Sequence, residues 1–374
     1  MLTIPDVSPT VLNSVYSPGL IVFADRVRQN IQQMIQLAGD VRRLRPHCKT
    51  HKMSAVIGLL HEAGISQHKA ATIAEVEMLA DCGATDVVLG YNIVGPNLHR
   101  IEQLLQAFPE LQLTVTADDA TALQQLSDRM AAAQLEVGVM LDVDVGLHRT
   151  GVAADSPQAV ALYEQICQSP GIRGAGFHIY DGHQRQSDLV DRTAAVQSAW
   201  TDVQQLKQLC EAKGLSVPEL LCGGTPTFPV YTSFTEPEIR LSPGTSIFHD
   251  AGYGSAFPDL DFQPAAVVVT RVISRPTADR VTLDLGNKSI AADPPKGQRV
   301  LFPDLPDAEQ VIHNEEHLVL QTPDAQRYQV GDVLLGIPVH ICPTSALHAD
   351  VTVIDQGQPS APWTVTARNR CLTH

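Results

Sequence analysis

Residues 45–52 read RPHCKTHK and close a strand-like run. A lysine held at the end of a buried strand can enter a pocket and lose its hydration. That lowers its pKa toward the neutral amine that condenses with a carbonyl group, and Lys49 is the candidate. Four other segments carry matching chemistry. CGGTPT, Cys222 to Thr227, follows a strand with two glycines and two hydroxyls, so backbone N–H groups can approach a phosphate closely. DVDVGLHRTG, Asp142 to Gly151, ends another strand and presents Arg149, a permanent cation with planar donors. FHIYDGH, Phe177 to His183, supplies His178 and Tyr180, flat rings able to pack on or bond to a heteroaromatic cofactor. In PVHICPTSALHAD, residues 338–350, His340 and Cys342 are two apart, so an extended segment points both to one side. Imidazole and thiolate suit a divalent metal. Two ligands are too few for a closed structural zinc but leave room for water and substrate.

These residues need a scaffold that brings several strand ends together. From residue 20 to about 243, strand-like runs alternate with helical stretches of ten residues or more, which indicates βαβ units and a parallel sheet. Leaving out GLIVFAD, eight strand candidates lie between Arg42 and Pro243, beginning with VRRLRPHCK and ending with EIRLSPG. Eight parallel strands can close as a (β/α)8 barrel, with the active site at their C-terminal ends. A doubly wound sheet is the competing architecture. After residue 250, runs such as AAVVVTRVISRP, RVTLDLGNKSI and GDVLLGIP are β-rich and helical periodicity nearly disappears. The expected organisation is a segment 1–20 joining the β domain, a barrel over 21–248, and a second, C-terminal all-β domain over 249–374.

Charge and cysteine usage narrow the function. Lysine and arginine total 26 against 41 aspartates and glutamates, a net charge of −15 that repels phosphate backbones, so nucleic acid is excluded as a partner. No window reaches the roughly 20 apolar residues of a membrane helix. The seven cysteines are scattered and never spaced CxxC, unlike a disulfide framework or zinc knuckle. MLTIPDVSPTVLNSVYSPG lacks the charged start and apolar core of a signal peptide, so a cytoplasmic protein is expected.

Taken in order, RPHCKTHK, VGLHRTG, HIYDGH, CGGTPTF, LSPGT and HICPT resemble the D-threonine aldolase and D-serine dehydratase family of fold-type III pyridoxal 5'-phosphate (PLP) enzymes, with an alanine racemase-like barrel. The resemblance implies that Lys49 is the Schiff-base lysine. It implies that Arg149 bonds near the cofactor's phenolic oxygen and that Tyr180 partners the pyridine ring. It assigns the phosphate to Gly223, Gly224 and Thr225, helped by Gly244 and Thr245, and a catalytic zinc or manganese to His340 and Cys342. It also implies a homodimer with shared active sites. Two positions point different ways, since Cys342 is similar to the dehydratase metal site and Tyr180 to the aldolases. Ser246 stands where many relatives place a tyrosine.

The reaction expected is lysis of a D-3-hydroxy amino acid, with the metal acting as Lewis acid on the β-hydroxyl. Retro-aldol cleavage gives glycine and an aldehyde. Dehydration, started by Lys49 at Cα, gives a 2-oxo acid and ammonia. The base for aldol cleavage stays open between His51, His178 and a metal-bound hydroxide. A racemase or a non-catalytic PLP-binding protein would have no use for the His340–Cys342 pair.

Overall fold

The structure is a computed structural model and describes residues 2–373. The chain forms two compact units. One takes the segment up to Gln33, Thr50–Leu59 and Thr245–Asn369; the other takes Met34–Lys49, Leu60–Gly244 and the segment from Arg370. The N-terminal part of the first unit thus runs beyond residue 20, and the change of unit falls at Gly244–Thr245.

The chain opens with α1 (Pro9–Ser14), β1 (Gly19–Phe23), α2 (Ala24–Ala38) and α3 (Ser54–Glu62). The barrel unit then alternates β2 (Gln67–Ala70), α4 (Ile73–Asp81), β3 (Asp86–Asn92), α5 (Asn97–Ala107), β4 (Gln112–Ala117), α6 (Ala120–Ala132) and β5 (Val137–Asp144). A two-residue β6 (Val152–Ala153) pairs with β5. After it come α7 (Pro157–Gln168), β7 (Ile172–Ile179), α8 (Leu189–Ala212), β8 (Leu220–Cys222), α9 (Phe228–Thr232) and β9 (Ile239–Leu241). Helix starts follow capping chemistry: the side chains of Thr72, Asp119, Ser156 and Asp188 accept from first-turn N–H groups of α4, α6, α7 and α8. Along α8, Val196, Trp200, Val203, Leu206 and Cys210 are buried at the spacing of one helix face.

Strands β2, β3, β4, β5, β7, β8 and β9 are parallel neighbours in that order. The expected first strand, VRRLRPHCK, does not form as a regular strand. Val41–Arg43 is a 3-10 turn capped by Asp40, and Pro46 offers no N–H to a ladder. The segment 44–47 nevertheless closes the barrel. Arg45 N donates to Leu241 O at 2.8 Å, His47 N to Pro243 O at 2.9 Å, and Lys69 N to Pro46 O at 3.0 Å, with parallel bridges Leu44–Leu241 and His47–Lys69. Buried Arg45 locks this eighth position. Its guanidinium bonds Asp86 at 2.7 and 3.2 Å and Glu219 at 2.9 Å through both Nε and Nη2. Val88, Met140, Ala175 and Leu221 from four strands pack together as core.

In the other unit, β10 (Ala266–Thr277) is the central strand. It runs antiparallel to β1, β11 (Arg280–Leu283) and β15 (Val333–Pro338). The sheet adds β12 (Val300–Leu301), β13 (Glu309–His313), β14 (Leu318–Gln321), β16 (Asp350–Asp355) and β17 (Gln358–Thr364). Two short helices, α10 (Ala251–Ala256) and α11 (Ile341–Leu347), interrupt the all-β texture expected there. Ile21, Phe23, Val267, Val269, Ile337 and Ile354 form its buried core with Val11 and Val15. No helix among the described residues is long and apolar enough to cross a membrane.

Candidate active site

A cavity of about 550 Å³ lies in the barrel unit, lined from the C-terminal ends of its strands. Lys49 opens onto it from a 3-10 turn, Cys48–Thr50, directly after the segment that Arg45 anchors. His47 is held against the neighbouring strand end, its Nδ1 3.1 Å from Lys69 O.

Arg149 enters the same cavity from a loop built around one carboxylate. Asp144 Oδ1 accepts from Gly146 N and His148 N, both at 3.0 Å, and Oδ2 lies 2.7 Å from His148 Nδ1. Gly151 closes the loop at φ +102°, where a Cβ would fall 2.7 Å from Asp144 N, so only glycine fits the return. The result places Arg149 over Tyr180, its Cζ 4.7 Å from the ring centroid. Lys49 Nζ and Lys69 Nζ each lie 5.7 Å from the same centroid. Tyr180 therefore gathers three basic side chains around one aromatic ring.

The CGGTPT segment forms a tight cradle beside that ring. Gly223 has φ +69°, and a Cβ on it would fall 2.7 Å from Thr227 Oγ1 and 2.9 Å from the Tyr231 ring. A Cβ on Gly224 would come within 3.2 Å of Tyr180. Thr227 Oγ1 accepts from Gly224 N at 3.2 Å and donates to Asp181 Oδ1 at 2.7 Å, while Gly244 N donates to Thr225 Oγ1 at 3.1 Å. Ser242 N donates to Cys222 O at 3.2 Å, and the buried Ser242 hydroxyl has no hydrogen-bond partner among the described residues. Two hydroxyls and an unsubstituted backbone converge here, which suits a phosphate.

His178 and Asp142 occupy paired positions on β7 and β5. His178 Nδ1 donates to Asp142 Oδ1 at 2.7 Å, which leaves Nε2 as the acceptor, buried and without a hydrogen-bond partner among the described residues. Burial, then the positive Lys69, hold His178 below the ordinary histidine pKa. Burial alone would raise Asp142, but the hydrogen bonds from His178 and Thr150 and nearby Lys69 outweigh it and keep it ionised. Burial also pushes Asp181 up to about 6.

Lys69 is the residue that sequence reasoning missed. It is 4% exposed, lines the cavity, and its ammonium makes no hydrogen bond or ion pair among the described residues. The signal was present: a lysine inside the four-residue strand QHKA must project either into the barrel or into the helix layer. Asp142, His47, Asn92 and Thr116 also line the cavity and were not singled out.

The remaining expected residues belong to the β-rich unit. His51 is fully buried against the edge of Phe248. Its Nδ1 accepts from Met53 N at 3.1 Å, and burial lowers its pKa to about 3. Cys342 Sγ lies 3.2 Å from Thr50 Oγ1 and 3.5 Å from Thr245 Oγ1. The HICPT segment is not extended, as the sequence spacing had suggested. His340 is the N-cap of α11 and Cys342 lies in its first turn, where Pro343 is tolerated because that turn's N–H groups lack helical partners. The two side chains still meet in a hydrogen bond, and His340 Nδ1 is 2.5 Å from Asp293 Oδ2. Burial lowers His340, but Cys342 and Asp293 override it and raise the imidazole to about 9. Convergence of imidazole and thiolate, with a carboxylate behind the imidazole, fits a divalent metal and its outer shell. A separate buried triple, His47, Cys48 and Glu75, has donor atoms within 4.8 Å of one another. Its groups serve the chain: Glu75 Oε2 accepts from Ala71 N at 2.6 Å and lies 3.5 Å from Cys48 Sγ.

Comparison with known proteins adds to this geometry. The family model "Alanine racemase, N-terminal domain" matches residues 22–251, and "Putative serine dehydratase domain" matches residues 265–354. The chain is 29% identical to a D-threonine aldolase of Arthrobacter sp. across 96% of this chain and 94% of the other. It is 27% identical to a 3-hydroxy-D-aspartate aldolase of Paracoccus denitrificans, covering 96% and 93%. The crystal structure of D-threonine aldolase from Filomicrobium marinum matches with a TM-score of 0.89 and 28% identity, over 96% of this chain and 97% of that one.

Proposed function

Because the chain belongs to the alanine racemase N-terminal domain family, among its D-threonine aldolases and D-serine dehydratases, we propose that it is a PLP- and metal-dependent lyase of D-3-hydroxy amino acids, working by retro-aldol cleavage. The supporting observation is the barrel cavity, lined by Lys49, Arg149 and Tyr180, with the substituent-free Gly223–Gly224 cradle set against the Tyr180 ring.

The residues fit the cofactor. Gly223, Gly224, Thr225 and the Ser242 hydroxyl would hold its phosphate, Tyr180 and His178 would face its ring, and Lys49 would hold it covalently. Bound there, PLP supplies an electron sink that weakens the bonds at Cα. Arg149 places a permanent positive charge beside the ring position, and the Asp142–His178 pair fixes a neutral imidazole acceptor in the cavity wall. His340 and Cys342, steadied by Asp293, would hold a zinc or manganese ion able to orient a substrate hydroxyl. A thiolate favours zinc.

The enzyme is read as a cytoplasmic homodimer acting on a small D-amino acid, with glycine and an aldehyde as products. The second reading is dehydration to a 2-oxo acid and ammonia, favoured by Cys342 and by the dehydratase domain match. Incubation of PLP- and metal-loaded protein with D-threonine separates them. Glycine with acetaldehyde supports cleavage, whereas 2-oxobutanoate with ammonia overturns it for dehydration. Sedimentation at twice the chain mass is the outcome expected for the dimer.

A further inference from the structure

The cavity holds two lysines where the proposed chemistry requires one. Lys69 reaches it from the barrel interior, and the fold makes room for it deliberately at Gly90. A Cβ there would fall 2.9 Å from Lys69 Cε and 3.6 Å from His178 Nε2, so both side chains crowd the space that glycine leaves. The acceptor nitrogen of His178 has no hydrogen-bond partner among the described residues, and its other nitrogen is tied to ionised Asp142. Lys69 itself is 4% exposed, its ammonium makes no hydrogen bond among the described residues, and it opens onto the cavity beside Lys49, Arg149 and Tyr180.

We infer that Lys69 is the general base of the cleavage step, a catalytic amine that takes the proton of the substrate's β-hydroxyl. The inference rests on the aldolase reading and supplies the base that reading leaves unassigned.

Its surroundings make the amine basic enough to accept a proton and neutral enough to be ready for one. Burial is the largest influence, followed by Lys49, whose charge counts only while its amine is not bonded to the cofactor. Arg149 adds to both, while Asp142 and Asp181 oppose them, and the balance brings Lys69 down to about 7. The groups facing it are thus Lys49 and Arg149 on the positive side, Asp142 and Asp181 on the negative, and neutral His178. A base poised near the working pH combines a populated acceptor form with useful driving force.

The step balances without an added reactant. The hydroxyl proton moves from oxygen to Lys69 Nζ, the oxygen's electron pair forms the aldehyde C=O, and the Cα–Cβ bond breaks. That bonding pair stays with the glycine fragment, whose Cα takes up one proton. When Nζ supplies it, the neutral amine is restored.

Two measurements test this. Trace acetylation of the holoenzyme with acetic anhydride, read peptide by peptide across about pH 5 to 10, should give Lys69 a reactivity midpoint near neutrality. The ordinary lysine range is near about 10.4. A midpoint in that range overturns the inference, whichever reaction the enzyme runs. Lys69→Met should keep the absorbance of covalently bound cofactor and lower kcat for D-threonine cleavage by roughly 10²–10⁴-fold with little change in KM. Lys69→Arg, which keeps the charge but cannot accept a proton, should be equally impaired. Full kcat in either variant, or a raised KM at unchanged kcat, would instead assign Lys69 to binding a substrate carboxylate and overturn the base. A wild-type enzyme that forms no glycine removes the aldolase reading, a result distinct from every outcome for the variants.

Discussion

His178 Nδ1 lies 2.7 Å from Asp142 Oδ1, and both side chains are buried on adjacent parallel strands. The carboxylate fixes the imidazole tautomer, so Nε2 presents a lone pair toward the cavity rather than a proton. A buried carboxylate that orients an imidazole is a strong device, because its loss leaves both the ring orientation and the tautomer free.

Asp142→Asn keeps the shape but removes the charge that selects the Nδ1–H tautomer. Turnover should fall about tenfold or more while the cofactor remains bound. Steady-state kinetics alongside the bound-cofactor absorbance checks this. Wild-type turnover in Asp142→Asn would reduce the pair to a structural contact.

Two lysines open onto the cavity, and only Lys49 is assigned to the cofactor. Borohydride reduction of the holoenzyme followed by peptide mapping should place the pyridoxyl label on the RPHCKTHK peptide. Lys49→Ala should lose the absorbance of the covalently bound cofactor. A label on Lys69, or an unchanged spectrum in that variant, refutes the assignment.

Metal removal should abolish cleavage if His340 and Cys342 hold the ion. Chelation is expected to strip activity that zinc or manganese then restores; Cys342→Ala or His340→Ala should lose bound metal, and Asp293→Asn, behind the His340 imidazole, should cost about 10–100-fold in metal affinity. Elemental analysis of purified protein provides the readout. Undiminished turnover after complete metal loss would remove the metal from the mechanism.

Stability against acid should depend on Arg45. Burial raises Asp86, but Arg45's hydrogen bonds and charge outweigh that and leave it below the ordinary carboxylate value. A carboxylate with a lowered folded pKa contributes stability above its unfolded pKa, about 3.9, and that contribution fades as pH falls through the folded value. Arg45→Met leaves Asp86 and Glu219 without their cation and should cost about 3–5 kcal/mol near neutrality. Urea midpoints from neutral pH down to the carboxylate range should show a shallower loss in the variant. Parallel curves at equal stability would mean that the ion pairs contribute little.

The sequence by itself determined a great deal, because its signals are local. Strand–helix alternation over residues 20 to 243 specifies βαβ units, and RPHCKTHK, VGLHRTG, HIYDGH and CGGTPT each end a strand or its extension. Parallel barrel order then carries Lys49, Arg149, His178, Tyr180 and the glycine cradle to one rim without further information. What the tertiary structure decided is non-local. Lys69 looks like a strand lysine until Gly90, one strand away, is seen to leave room for it beside His178. Asp142 looks like one acid among 41 until its register with His178 is known. HICPT reads as an extended pair by spacing, yet the chain turns into a helix at His340 and brings Cys342 to it by another route. VRRLRPHCK reads as a strand, yet its place in the barrel depends on hydrogen bonds it donates to the carbonyls of Leu241 and Pro243, nearly two hundred residues later in the chain. Local chemistry chooses the elements; which side chains share a cavity depends on register and on the volume that neighbouring strands leave empty.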